Sequence, residues 1–298
     1  MELTWLEDFL ELAETGSFSR AAEARHITQP AFSRRIKALE EWVGAPLFAR
    51  TPPRTTLTSA GEQFMLGAPD LVRRLLQLRR DAREAGGRET ATLRFAATHV
   101  LSFTFFPYWI RSVESHGSFG PVRLLSDSMQ ACEELMFQGQ AQFLLCHQHP
   151  LAPNRFEPRQ FRSAIVGKDV LMPLVAPGDD GRPRWSLDEA GDVPLLAYTG
   201  ESGLGRIVAA HRFDERAPGL KPVFSAHLAA SLLGMACDGR GIAWLPRSVA
   251  AQDIAAGRLA SAGGSAWEID MDIVLFRPTA RQSPAAENFW AEVNAIPA

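Results

Sequence analysis

The sequence predicts a multidomain α+β protein with a small helical head, a long connecting helix and a larger portion in which strands alternate with helices. Three observations lead there. Apolar residues recur at helical spacing through residues 1–44, and a heptad-like seam follows over 64–82. From about residue 91, short apolar strand-like runs are separated by helical stretches. A chain of 298 residues is also longer than one hydrophobic core usually serves, which sets an expectation of two or three domains.

In the head, Trp5, Leu6, Phe9, Leu10 and Ala13 form one apolar stripe, and Gly16 ends it. Ser19 is placed to cap a short second helix containing Ala21, Ala22 and Arg25. Thr28 is placed to cap a third, with Pro30 in its first turn, where a missing N–H costs little. Phe32, Ile36, Leu39 and Val43 line one face of that third helix. Gln29, Ser33 and Lys37, with Arg34 beside them, line another, and Gly44 closes it.

The stretch "APLFARTPPRTTLTSAG" then reads as two short strands about a Pro-Pro turn, a hairpin wing with Arg50 and Arg54 on either side. From Thr58 or Ser59 a long helix begins, with Glu62 completing a capping box from Ser59. Its apolar residues Phe64, Ala68, Leu71, Leu75, Leu78 and Ala82 step by 4, 3, 4, 3 and 4, the pattern of a helix pairing with another helix. Packing on its own domain is the alternative. Pro69 should kink this helix or end its first portion. "EAGGRET" reads as a hinge. The remainder, built of strands such as "TLRFAATHV", "PVRLLSDS", "AQFLLCHQ", "VPLLAYTG" and "DIVLFRP" with helices between, implies α/β layers around largely parallel sheets in two small lobes.

The formal net charge of −3 conceals an uneven distribution. Residues 1–18 hold Glu2, Glu7, Asp8, Glu11 and Glu14 and no base, whereas residues 19–54 gather Arg20, Arg25, Arg34, Arg35, Lys37, Arg50 and Arg54 against Glu23, Glu40 and Glu41. An alanine-rich second helix, a short turn and a polar-faced third helix make a helix–turn–helix layout, in which the third helix enters the DNA major groove. The residue types suit that role. Gln29 can bond bidentately to adenine, Arg34 to guanine, and Ser33 to bases or phosphate. Lys37, Arg50 and Arg54 supply phosphate neutralisation.

Other classes find little support. No apolar run approaches the roughly 18 residues of a membrane span, and the acidic N-terminus lacks the basic start of a signal peptide. A cytoplasmic location is expected, with no membrane partner. Cys132, Cys146 and Cys237 match neither a disulfide framework nor a zinc spacing. In "CHQH", strand alternation sets Cys146 opposite His147 and His149, so no metal site is expected. "GESGLG" at 200–205 fails the nucleophile elbow at Leu204 and the dinucleotide fingerprint at Val208. No catalytic constellation and no cofactor are expected. A thiol-switched sensor or, less favoured, a solute-binding or enzymatic module with an N-terminal interaction domain remain the alternatives.

The run "GSFSRAAEARHITQPAFSRRIKALEEWVGAPLFAR", followed by "LTSAGEQF", resembles the N-terminal domain of LysR-type transcriptional regulators across residues 3–64. Residues 91–298 are more loosely similar to that family's effector-binding domain, which has two lobes and resembles periplasmic binding proteins. The resemblance implies a winged helix–turn–helix over 1–58, a linker and dimerisation helix with hinge over 59–90, and an effector domain over 91–298. Lobe I would take about 91–165 and 268–298, and lobe II about 166–267. It further implies that Gln29, Pro30, Ser33 and Arg34 face bases, that Thr28, Lys37, Arg50 and Arg54 face phosphates or the minor groove, and that the chain forms dimers or dimers of dimers through the linker helix. A small effector is implied between the lobes, near Thr98, His99, Ser102, Cys146, His147, Tyr198, Thr199 and Ser202. Within the family, "TQPAFSRRI", "DGRGIAWLP" and "ENFW" are similar to the branch of the hypochlorite-responsive regulator, where methionine oxidation matters. Two of the relevant positions fall here at Leu204 and Leu228, which cannot be oxidised that way.

Overall fold

The computed structural model describes residues 2–51, 54–86, 92–115, 117, 119–189 and 191–295; the side chains of residues 50, 51, 54, 80, 81, 84 and 85 fall outside that description. The chain divides into two compact units, one of Met1–Glu89 with Phe137–Gly139, the other of Thr90–Met136 with Gln140–Ala298.

The first unit contains helices α1 (Leu3–Thr15), α2 (Phe18–Ala24) and α3 (Gln29–Val43), strands β1 (Phe48–Thr51) and β2 (Arg54–Leu57), then helices α4 (Ser59–Met65) and α5 (Ala68–Ala85). Leu6, Phe9 and Leu12 of α1, Ala21 and Ala22 of α2, and Phe32, Ile36 and Leu39 of α3 share one core with Leu47 and Phe48. Two starts differ from expectation. Ser17, not Ser19, occupies the N-cap of α2, because Phe18 joins the helix and sets its ring edge-on to Phe32 with centroids 6.0 Å apart. Arg25 consequently sits at the C-cap. Thr58, not Ser59, caps α4 by accepting a hydrogen bond from Gly61 N at 3.0 Å. Thr28 holds the extended N-cap position of α3 as expected, without a side-chain cap bond, and Gly44 ends α3 at φ +83°, a left-handed conformation that glycine adopts without a steric penalty. The wing strands pair antiparallel, with Phe48 opposite Leu57. The long helix is interrupted ahead of Pro69, as expected: its first portion, α4, ends at Met65, and Pro69 stands in the first turn of α5, where no N–H is needed. The "EAGGRET" hinge lies largely outside the described residues.

The second unit begins with β3 (Leu93–Thr98), α6 (His99–Thr104), α7 (Phe106–Glu114), β4 (Val122–Asp127), α8 (Met129–Phe137), β5 (Phe143–Gln148) and the long β6 (Phe161–Val175). It continues with β7 (Val193–Tyr198), α9 (Gly203–Ala210), α10 (Phe213–Arg216), β8 (Leu220–Ala226), α11 (Ala229–Cys237), β9 (Ala243–Pro246) and α12 (Arg247–Ala255). β10 (Ala260–Ser261), β11 (Ile269–Pro278) and α13 (Pro284–Ala295) complete it. Seven strands form one sheet in the order β10-β6-β11-β5-β3-β4, with β9 also on β6.

That sheet is mixed, which corrects the expectation of largely parallel sheets. β3 pairs parallel with β4 and β5, but β11 runs antiparallel to both β5 and β6. The reason is that the chain crosses between two cores and returns: β6 and β11 are the two crossings, and they run in opposite directions. Ile273 and Leu275 of β11 lie in a core with Phe95, Phe143 and Phe289, while Ile269 and Met271 lie in a second core with Leu171, Leu196 and Trp244. β7 and β8 form a separate parallel pair on the second core.

Candidate functional site

In the first unit the basic residues separate into two groups that the sequence did not distinguish. Asp8, on α1, is fully buried. It accepts a hydrogen bond from Arg25 Nε at 2.9 Å and lies 3.4 Å from Arg35 Nη1, while Arg25 Nη2 reaches Glu7 Oε2 at 2.5 Å. Burial works to lower the Arg25 pKa, yet the hydrogen bonds to Asp8 and Glu7 leave it raised above its ordinary value. Arg20 turns back to the Thr15 carbonyl. These bases brace helices against one another. Glu40 adds a second brace by accepting the Leu47 and Phe48 amides at 2.8 and 3.1 Å, which fixes the wing to the end of α3.

The opposite face of α3 is left outward. Thr28, Gln29, Pro30, Arg34 and Lys37 are exposed and Ser33 is half-buried. Ser19 Oγ donates to Gln29 Oε1 at 3.3 Å, which orients that amide, and Lys37 lies 3.5 Å from Glu41 one turn on. The backbones of Arg50 and Arg54 belong to the wing strands; their side chains lie outside the described residues. A rigid helix start thus presents an amide, a hydroxyl and a guanidinium in one row, the donors and acceptors that match base edges, with an ammonium behind them.

In the second unit a cleft lies where the ends of β3, β4 and β5 meet the starts of α9 and α11. Thr98, His99, His147 and Ser202 line it, together with Asp127, Ser128, Met129, Leu204 and His227. The cleft is half open to solvent, with a volume of about 30 Å³. Thr98 Oγ1 is buried with no hydrogen-bond partner among the described residues. Ser126 Oγ donates to Ser102 Oγ at 2.9 Å, and Ser102 donates to the His99 carbonyl at 2.7 Å. The proton of Ser126 is therefore committed, so His99 Nδ1 donates to Ser126 Oγ across their 3.1 Å contact and keeps Nε2 as a lone pair. Burial lowers the His99 pKa; Asp127 opposes that and His227 adds to it.

Behind His147, Asp169 accepts from Ser248 Oγ at 2.5 Å and from Val170 N at 2.8 Å. Burial raises the Asp169 pKa, but the His147 and Ser248 contacts outweigh it and leave the group below its ordinary value. The carboxylate therefore accepts the His147 Nε2 proton across 3.2 Å. Beside the cleft, Arg206 of α9 grips Glu133 of α8 in two bonds of 2.9 and 3.1 Å, and Glu133 is fully buried.

Four of the eight predicted cleft residues are thus brought together. Ser102 stands behind His99 in the hydroxyl chain. Thr199 donates to Glu201 at 3.2 Å instead of lining the space. Cys146 and Tyr198 are corrections: Cys146 is buried away from the cleft, near Cys132 and Glu133, and Tyr198 packs beneath α9 in the second core. Asp127, Ser128, Met129 and His227 were missed. The rule that placed Thr98 and His99, a strand end followed by a helix start, applies equally at 127–129.

Burial pushes the Cys132 thiol up to about 12 and raises Cys146 and Cys237 as well, which disfavours the thiolate that redox sensing requires. No group of three or more His, Cys, Asp or Glu is placed to hold a metal, and no helix is long and apolar enough to cross a membrane, among the described residues.

A winged helix–turn–helix joined to a two-lobed domain with a polar cleft defines a ligand-controlled DNA-binding protein. Residues 3–62 match the family model described as "Bacterial regulatory helix-turn-helix protein, lysR family", and residues 86–296 match "LysR substrate binding domain". The chain belongs to the LysR family of transcriptional regulators, with a DNA-binding helix–turn–helix and an effector-binding domain. The transcriptional regulator YjiE of Escherichia coli K12 is 29% identical over 99% of this chain and 95% of its own. Among solved structures, Vibrio fischeri DarR in complex with DNA is 30% identical, covers 100% of this chain and 99% of its own, and has a TM-score of 0.58. Full-length HypT of Salmonella typhimurium, a hypochlorite-specific LysR-type regulator, is 29% identical over 99% and 97% of the two chains, also with a TM-score of 0.58.

Proposed function

We propose that the outer face of α3 reads operator DNA: Gln29, Pro30, Ser33 and Arg34 meet bases, while Thr28, Lys37, Arg50 and Arg54 meet phosphates or the minor groove. The observation that supports this most is the division of the bases. Arg25 and Arg35 are held by buried Asp8, while Arg34 and Lys37 remain exposed on the outer face of α3. Leu71, Leu75 and Leu78 of α5 are exposed at 40, 38 and 65%. A row of leucines on one helix in water fits a seam for a second copy, which would set two recognition helices on two half-sites. In this reading residues 1–58 bind DNA, 59–90 link and pair, and 91–298 hold the effector. The chain acts as a regulator, not a catalyst, and works in the cytoplasm where the DNA is.

The cleft lined by Thr98, His99, His147 and Ser202 is the proposed effector site. The unpartnered Thr98 hydroxyl supports this, since a buried polar atom without a partner is costly unless a ligand or water meets it. A space of about 30 Å³ in this half-open cleft has room for about two water-sized groups. A larger effector has to part α8 from α9, and its control over the protein is limited to its differential affinity for the two arrangements. The test is selection from a random duplex pool by the full chain. Enrichment of a pseudo-palindrome whose half-sites lie about one helical turn or a multiple apart is expected; recovery of unenriched sequence would overturn the reading.

A further inference from the structure

We propose that the second unit carries an acid-operated release between its two lobes, in which two histidine pairs close the cleft when neutral and part it when protonated. This gives a regulation of the cleft described above, and its consequence for effector binding rests on that reading. Four of the chain's seven histidines meet in pairs across the boundary, so acidification charges both of its sides at once. His99 and His149 follow β3 and β5, which fill the core around Phe95. His211 ends α9 and His227 precedes α11, and both helices pack in the core around Trp244. The centroids of the His149 and His211 rings stand 4.6 Å apart, and those of His99 and His227 5.7 Å. Arg206 grips Glu133 across the same boundary, an ion pair that holds the closed arrangement at neutral pH.

The pairs are assembled around neutral rings. Leu151 N donates to His149 Nδ1 at 3.2 Å, so that ring keeps its proton on Nε2, and a second proton has to displace the amide. His211 Nδ1 donates to the Ile207 carbonyl at 2.9 Å, at the carbonyl end of α9, where a positive charge is favoured. Protonation of His211 therefore sets a cation beside His149. Acids face both pairs: Asp270 and Asp272 of β11 act on His149, Asp127 acts on His99, and Glu201 lies 3.3 Å from His227 Nδ1. They soften the repulsion without cancelling it, because burial and the opposing histidine leave His99 and His149 below their ordinary pKa. Both rings take protons more readily once the lobes part, so acid favours the open arrangement. A histidine that is protonated only after opening shifts that equilibrium by up to about tenfold at one pH unit below its ordinary value.

The test is hydrogen exchange of the full chain without DNA or effector, so its outcome is separate from that of the effector reading. The Gln130 amide donates to the Glu201 carbonyl at 3.3 Å across the boundary and reports opening. After correction for the intrinsic pH dependence of exchange, its protection should fall about tenfold between pH 7.5 and 5.5. β5 and β9, each within one core, should change by less than about threefold. His211→Asn/His227→Asn leaves His99 and His149 facing neutral amides and should hold the Gln130 change below about threefold, with each single variant between. His26→Asn, in the first unit, should keep the full change. The proposal is overturned if Gln130 protection does not fall in acid, if it falls no more than that of the two cores, or if the double variant keeps the wild-type change.

Discussion

Asp8 gives the sharpest stability prediction for the DNA-binding head. Its carboxylate is fully buried and takes one well-aligned charged hydrogen bond, from Arg25 at 2.9 Å, and one long contact, to Arg35 at 3.4 Å. A hydrogen bond to a charged group contributes about 1.5–3 kcal/mol. The Arg35 contact adds less than about 0.5 kcal/mol, because that arginine is more than one-third exposed and water screens it. Asp8→Asn keeps the shape, removes the charge and also relieves the carboxylate of its desolvation, so the net cost is about 2 kcal/mol. That corresponds to roughly thirtyfold in an equilibrium constant. Hydrogen exchange on the full chain, read by mass spectrometry, should show protection in α1–α3 falling by about that factor, with residues 92–295 unaffected. Arg35→Ala should change protection by less than about threefold. Unchanged protection in Asp8→Asn, a loss spread equally over the second unit, or a larger effect from Arg35→Ala than from Asp8→Asn would refute the reasoning.

Three further outcomes are expected. Phe289 is fully buried, with the rings of Phe95, Phe119 and Phe143 at 5.0–5.2 Å and Trp109 at 5.9 Å. Phe289→Ala should therefore cost about 3–5 kcal/mol in urea unfolding, whereas a change below about 1 kcal/mol would show that this aromatic cluster does not anchor the lobe. The folded-state pKa values of His99 and His149 lie below their ordinary 6.5, both through burial first. The unfolded chain then binds more protons, so stability is full above pH 6.5 and falls as pH drops toward the folded values. Urea midpoints at pH 7.5 and 5.5 should differ in that direction, and by less in His99→Asn/His149→Asn; an equal difference in the variant would remove these two histidines from the explanation. Finally, Leu75→Asp/Leu78→Asp should convert the oligomer to monomer in sedimentation without unfolding the head, and a persisting oligomer would show that the α5 seam is not the contact.

The parts of this fold that rest on neighbouring residues were legible in the sequence. Gly44, Thr28 and Pro30 delimit α3 through local backbone chemistry, and the alternating residues of 48–51 and 54–57 mark the two wing strands. Elements whose existence depends on distant partners were not. The first half of β6, "FRSAIVGKD", has no clean alternation because each stretch of that strand faces a different core or solvent, and its burial follows the crossing between lobes. α12 passed unnoticed because Ala250 is the one residue it buries completely, and α13 because Ala286, Phe289 and Val293 are the only buried residues among its 12. The same holds for the sites. The row Gln29, Ser33, Arg34 and Lys37 is visible as a helix face, but the assignment of Arg25 and Arg35 to Asp8 spans 17 and 27 residues and cannot be seen in a charge count. In the cleft, strand alternation separated His147 from Cys146 correctly. It gave no warning that Tyr198 turns under α9, nor that Glu133 waits 73 residues before Arg206.

The most direct test of the reading face is the comparison of Arg34→Ala with Lys37→Ala on a selected operator and a scrambled duplex, followed by fluorescence anisotropy at several salt concentrations. Arg34→Ala should lose about 1–3 kcal/mol on the operator and relax base preference, with the scrambled duplex little changed. Lys37→Ala should weaken both duplexes alike and reduce the salt slope by about one phosphate's contribution. If Arg34→Ala leaves operator affinity and base preference as they are in the wild-type chain, the outer face of α3 does not read DNA.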